Sequence, residues 1–280
     1  MIVQQAIGRA LGRLAAPLTF LGSLARGARI FHPEGVVYRA EVQPLVEEGA
    51  LGRLGQRLAG LALVRLSGGI LPWPASGRLP DVLGVAARFR DSEDLRPELM
   101  RGDQDLLFVT ARSLLTLPIA PFTTNVDDFL ANVYFAILPF KLEGLGEVEL
   151  RLVPETTSPP GDNRRARLAE AVAADEATLR LEVQIEGGAE GWIPVAAIHL
   201  REQLPIDQGE LRFDPGTAAM GLVPHGVLQW TRPAAYAASQ AGRRLARRLA
   251  GSPARGRLAV SPARGRFTGS AARRFRSASG

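Results

Sequence analysis

The chain has 280 residues, of which 34 are Lys or Arg, 28 Asp or Glu, 3 His and none Cys, and 46% are apolar. That length and apolar share fit one large domain with extensions, or two small domains, and exclude a wholly disordered chain. Without thiols there is no disulfide framework, no cysteine zinc site and no thiol nucleophile. Three scattered His argue against a multi-His metal centre, and the one lysine, Lys141 in FKLEG, stands far from any Gly-rich loop, which excludes a P-loop ATPase.

Residues 1–28 read as an N-terminal amphipathic helix or extension. Arg9, Arg13 and Arg26 lie in it, Arg29 follows, and no acid precedes Glu34. The apolar stretch LAAPLTFLGSLA at 14–25 is too short and too interrupted, near Pro17, to cross a bilayer. A targeting segment is the alternative reading of it. No other run approaches a transmembrane length, so the expected location is cytoplasmic.

GVVYRAEV at 35–42 predicts a first strand, LALVRLS at 61–67 a second, VLGVAARF at 82–89 a third and DLLFVTA at 105–111 a fourth. TTNVDDFLANVYFAIL at 123–138 predicts a helix, with Thr124 as its N-cap and Asp127 closing a capping box. EVELRLV at 147–153 alternates, placing Val148, Leu150 and Leu152 on one face. SPPGDN at 158–163 is a loop and 164–174 a short Arg/Ala helix. LRLEVQI at 179–185 alternates with Leu179, Leu181, Val183 and Ile185 inward, and WIPVAAIHL at 192–200 is a further strand. A helix is expected over 233–249, with Pro233 in its first turn.

The end of the chain differs in composition. From Gly242 to Gly280 there are eleven Arg and no acid, and subtracting those eleven from the net +6 leaves residues 1–241 at −5. SPARGR at 252–257 recurs at 261–266. Residues 249–280 therefore read as a disordered Arg-rich tail, with too little apolar surface to offset the entropy of ordering. Such a tail can make weak contact with a nucleic acid or another anionic surface by counterion release, or can be passive.

The strands are spaced too irregularly for βαβ units, and no GxGxxG follows one of them. The fold class is α+β: an antiparallel β-barrel with packed outer helices over 29–248, the last helix closing the domain.

One spacing in that last helix carries chemistry. Arg232 lies four residues before Tyr236 and Arg243 seven after it. At about 100° per residue both fall within about 40° of Tyr236 on the helical wheel. A guanidinium beside a phenol favours the phenolate, and a phenolate can ligate a ferric centre. The plainer alternative is a basic amphipathic helix whose Tyr covers the core. His32 stands just before the first strand, three residues after Arg29, where a loop role is the plain reading. Arg65 and Ser67, two apart, share one face of the second strand. A buried strand Arg needs an anionic partner; on an edge strand it would lie in solvent.

Taken together, these segments resemble the haem-dependent catalase superfamily, particularly its short bacterial catalase-like members. RIFHPEG is similar to the family's distal segment and VRLS to its Arg–aromatic–Ser strand. LPDVLGVAARF and GDQDLLF resemble the strands that follow, and WIPVAAIHL with LPIDQGELRFDP the strand and turn before the proximal helix. LQWTRPAAYAASQAGR resembles that helix. The resemblance covers roughly 29–243 and implies haem b, with Tyr236 as the iron ligand and Arg232 keeping it ionised. Arg29, Arg65 and Arg243 match the positions that hold haem propionates. His32 matches the distal base, and Ser67 the residue that orients it. The implied activity is general acid–base cleavage of the O–O bond of hydrogen peroxide or an organic hydroperoxide, and a homo-oligomer is an expected assembly. Thr110 falls where catalases carry a distal Asn, Phe31 is bulkier than the usual residue before the His, and Pro33 replaces a small one. The alternative is a degenerate, non-enzymatic member of the same fold that binds another ligand, with the Arg-rich tail serving anionic partners.

The other polar residues read as structural. His199 lies in a strand and His225 at a turn. Glu47–Glu48 and Asp127–Asp128 are neighbours, which point apart on regular structure, and Asp207 and Asp214 flank turns.

Overall fold

The computed structural model describes residues 35–69, 79–113, 115–137, 139–188, 191–206 and 211–225. The expected N-terminal helix, the helix at 233–249 and the Arg-rich tail lie outside the described residues.

The strands are β1 (Gly35–Pro44), β2 (Gly60–Gly68), β3 (Leu83–Arg90), β4 (Gln104–Val109), β5 (Tyr134–Phe135), β6 (Phe140–Leu142), β7 (Gly146–Pro154), β8 (Thr178–Ile185), β9 (Ile193–Leu204) and β10 (Leu222–Pro224). Three described helices accompany them: α1 (Gly49–Leu58), α2 (Ala120–Thr123) and α3 (Arg164–Ala173), with a 3-10 turn at Phe129–Ala131. The sheet order is β10-β6-β7-β5-β4-β3-β2-β1-β9-β8, and β7 also pairs with β8. That last pairing closes an antiparallel ring of eight strands, β1 to β5 with β7 to β9. β6 and β10 extend it beside β7. The expected α+β barrel is therefore the observed architecture.

Period-2 alternation builds the interior. Val36, Tyr38, Ala40 and Val42 of β1 join Val148, Leu150 and Leu152 of β7 and Leu179, Leu181 and Val183 of β8 in one core. Register shifts between Arg39 and Ala40 and between Leu181 and Glu182 mark the irregularities at which β9 bends against its neighbours. α1 packs on β1 and β9 and buries Leu54 and Leu58. Its close approach depends on Gly55, where an added Cβ would stand 2.8 Å from the Val195 carbonyl oxygen. α3 begins at Asn163, whose side chain accepts from the backbone N–H groups of Arg165 and Ala166, both at 3.0 Å.

The sequence reading fails at 123–138. In place of one helix the chain makes the end of α2, the 3-10 turn and β5. Thr124 closes α2 instead of opening a helix: its backbone N–H bonds the Ala120 carbonyl. Polar side chains there capture the backbone. Asn125 Oδ1 accepts from Asp127 N at 3.1 Å and Asp128 Oδ1 from Leu130 N at 2.9 Å, the local competition that makes Asn and Asp poor helix formers. Asp127 is exposed and Asp128 buried, so the two carboxylates do diverge.

Candidate functional site

β2 runs between β1 and β3, and its outer face carries the two described residues of the expected ligand set that share a strand. Arg65 stands opposite Val37 and Ala86, and Ser67 opposite Gly35 and Gly84. Both are buried, Arg65 to 3% exposure and Ser67 to 2%. The solvated-edge reading of Arg65 is thereby excluded. Its guanidinium lies on Gly35: a Cβ there would come within 2.9 Å of Arg65 Cζ and 2.6 Å of the Leu66 carbonyl oxygen. Ser67 Oγ donates to the Gly84 carbonyl at 3.4 Å.

The register extends this row. Gly35, Ser67, Gly84 and Val109 follow one another across β1, β2, β3 and β4. Three of the four are Gly or Ser, so no large side chain rises from the row at those positions. Thr110 lies one residue beyond the row, where its backbone N–H bonds the Leu83 carbonyl at 3.0 Å. Its hydroxyl accepts from Leu83 N at 3.1 Å and from the Thr124 hydroxyl at 2.7 Å, tying β4 to the end of α2. The residue in line with Ser67 is thus Val109, which packs with Val82, Ala111 and Ala120. On α2 and just before it the surface is apolar, with Leu115 92%, Phe122 76% and Ile119 59% exposed.

A second group of buried charges on the same barrel face was not anticipated. Arg88 Nε and Nη2 grip Asp105 Oδ1 and Oδ2, both at 2.7 Å. Arg90 Nε and Nη2 grip Asp103 at 2.9 and 2.7 Å. All four side chains are almost fully buried. Burial pushes the Asp105 carboxyl above its ordinary range, and the Arg88 guanidinium opposes that rise. The signal was present in the sequence. Arg88-Phe-Arg90 and Asp103-Gln-Asp105 each place like charges two apart, hence on one face of two strands that pair.

The remaining His have structural partners. His199 Nδ1 meets Thr178 Oγ1 at 3.0 Å, and His225 Nε2 meets Glu147 at 2.8 Å. Among the described residues no group of three His, Asp or Glu can hold a metal ion, and no helix is long and apolar enough to cross a membrane. Arg29, His32, Arg232, Tyr236 and Arg243 lie outside the described residues.

No family model matches the chain, and no curated protein matches its sequence. The fold is similar to a solved structure of a bacterial catalase, with a TM-score of 0.54 and 14% identity over 77% of this chain. The match spans 57% of that catalase's length. At that identity the likeness establishes a shared fold.

Proposed function

We propose that the chain binds haem b on the outer face of its barrel and acts on hydrogen peroxide or an organic hydroperoxide. The observation that carries this reading is the pairing of a catalase-like barrel with buried Arg65 and Ser67 on the strand where the sequence resembles the family's distal strand. The described residues fit such a group. The Gly35–Ser67–Gly84 row carries only small residues, and a guanidinium such as Arg65 suits a propionate, which it can pair bidentately. The exposed apolar side chains on and just before α2 suit its hydrocarbon edge.

Haem bound there would supply a ferric centre able to bind a peroxide oxygen and to give up the two electrons that reduce the O–O bond. In this reading Tyr236 would hold the iron as its phenolate, which a guanidinium such as that of Arg232 favours. Arg29, Arg65 and Arg243 would hold the carboxylates. His32 would be the base that takes up a substrate proton at an imidazole nitrogen and gives it back, and Ser67 Oγ would orient its ring.

The test is an absorption spectrum of the full chain produced with a haem precursor. A Soret band with high-spin ferric features, lost in Tyr236→Phe, is expected. A spectrum unchanged by that substitution would refute the ligand, and a colourless chain that also refuses hemin would refute the cofactor. His32→Ala should keep the Soret band and lower peroxide turnover.

A second reading, a non-enzymatic member of the fold that holds another ligand, draws on Thr110. Its hydroxyl is engaged with Leu83 and Thr124, so the row offers Val109 where a polar side chain would assist peroxide. Uptake of hemin without peroxide turnover would favour it. The Arg-rich tail adds a proposed contact with anionic partners, tested by replacing its arginines and measuring retention on heparin.

A further inference from the structure

We propose that Arg88 and Asp105 form a positioning clamp that fixes where residues 211–220 lie on the barrel and so sets the point from which the chain enters the segment bearing Arg232 and Tyr236. This inference rests on the haem reading above.

The clamp faces outward from β3 and β4, which are already joined by their backbone ladder. Arg88 Nη1 donates to the Pro97 carbonyl at 2.7 Å, and the rest of the clamp's spare hydrogen-bonding capacity goes to one stretch of chain. Arg88 Nη2 also donates to the Arg212 carbonyl. Asp105 Oδ2 also accepts from Asp214 N at 2.6 Å, and Asp105 N donates to Thr217 Oγ1 at 2.7 Å. Neighbouring Gln104 donates to the Thr217 carbonyl at 2.9 Å and accepts from Met220 N at 3.3 Å. The Arg88 guanidinium also covers the Phe213 ring, 5.2 Å from its centroid.

A buried ion pair holds a fold no more firmly than a well-packed apolar pair of the same size, and is often worse. What a bidentate fork adds is direction. Leu211 and Phe213 pack on Val37 and Leu63 through contacts that tolerate sliding. The carbonyl of Arg212 and the N–H of Asp214 fit the fork in one register. Downstream, the short edge strand β10 pairs with β6, and His225 N bonds the Pro139 carbonyl at 2.9 Å. Arg232 follows seven residues later in sequence, a span of at most about 25 Å of extended chain. The neighbouring pair Arg90–Asp103 spends its spare donors elsewhere, on the carbonyls of Arg96 at 2.9 Å and Glu98 at 2.7 Å. It is the nearest internal control: the same chemistry on the same face, with no bond to 211–220, holding a loop that Arg88 touches at the Pro97 carbonyl.

The experiment compares the full chain with Arg88→Met/Asp105→Leu and with Arg90→Met/Asp103→Leu, and Asp105→Asn serves if the first does not fold. Three quantities are read: thermal midpoint, amide exchange over 211–220, and hemin affinity with the ferric absorption spectrum. The first variant should keep a midpoint near wild type, exchange its 211–220 amides faster by about 100-fold, bind hemin at least about tenfold more weakly and change the ferric spectrum. The second should leave the spectrum as it was. Faster exchange with unchanged affinity and spectrum would reduce the clamp to a structural tie and overturn the proposal. Equal spectral change in both variants would overturn it too, as a general loss of stability. A wild-type chain that takes up no hemin would end the haem reading and the positioning role together; the exchange comparison would still separate that failure from a failure of the clamp.

Discussion

Arg90→Ala tests how much of the stability rests on buried charge outside the barrel core. The substitution removes a side chain that is 2% exposed and leaves Asp103, 1% exposed, without its bidentate partner. Asp103 keeps the Met100 N–H at 2.8 Å and Arg88 Nε at 3.8 Å. The carbonyls of Asp94, Arg96 and Glu98 lose a donor, but they belong to a loop beside solvent, where water can replace it. The carbonyls therefore contribute little, and the stranded carboxylate dominates. Breaking a buried pair from one side costs about 3–5 kcal/mol. The residual Arg88 contact and the opening of the loop place the expectation near the lower end, about 3 kcal/mol, against a total of about 5–15 kcal/mol for a domain. Urea unfolding of the full chain reads it. Arg90→Met/Asp103→Leu should recover most of the loss. A single-variant cost below about 1 kcal/mol, the range of a solvated surface pair, would show that the pair is solvated and the reasoning wrong.

Leu150→Ala opens a cavity among fully buried side chains of β7 and should cost about 2–5 kcal/mol in urea unfolding; a cost near that of a surface change would place Leu150 outside the core. Arg65→Met removes the buried guanidinium and keeps an apolar side chain on the strand, weakening hemin binding while the far-ultraviolet circular dichroism stays unchanged; unaltered affinity would remove Arg65 from the ligand set. Glu186 holds its proton to higher pH because it shares a hydrogen bond with Glu147. That contribution is complete below the ordinary glutamate range and is lost as pH rises through the raised pKa. Glu186→Gln should therefore match wild type in mild acid and exceed it at neutrality, read as thermal midpoint; equal midpoints at both would deny the shared proton.

The strands were legible because their side chains obey one rule over their whole length. β7 and β8 alternate without a break, and their inward residues are those the pattern names. α1 was hidden: Gly49, Gly52 and Gly55 lower its intrinsic helix propensity, and the helix exists because Leu54 and Leu58 pack on the barrel. The 123–138 segment misled in the opposite way. Its apolar spacing suits a helix, yet Asn125 and Asp128 bind the backbone locally, and Asp128 also accepts from the Ser158 hydroxyl at 2.6 Å, a partner thirty residues away. On the outer face, the sequence placed Arg65 and Ser67 together, but burial is decided by what covers β2. Thr110 was placed by counting along the strand; it lies one residue past β4, whose last residue, Val109, pairs with Gly84 in the ladder.

The division between the two faces of the sheet also says where a ligand can sit. An eight-stranded barrel encloses a space that side chains just fill. Here Tyr38, Phe89, Phe108, Phe129 and Tyr134 all lie buried in that core. Burial raises the pKa of both phenols, so neither favours the phenolate that would ligate iron. The outer face of β1 to β4 is built differently. It carries a run of small residues, a buried arginine, and two arginine–aspartate forks that fasten loops over it. Interior residues answer only to volume and hydrophobicity, which many sequences satisfy, so a fold shared at 14% identity is expected of them. Forks answer to direction. If the outer face holds a ligand, substitutions at Arg65, Ser67, Arg88 and Asp105 should alter binding out of proportion to stability, and those at Leu150 or Val183 should alter stability first.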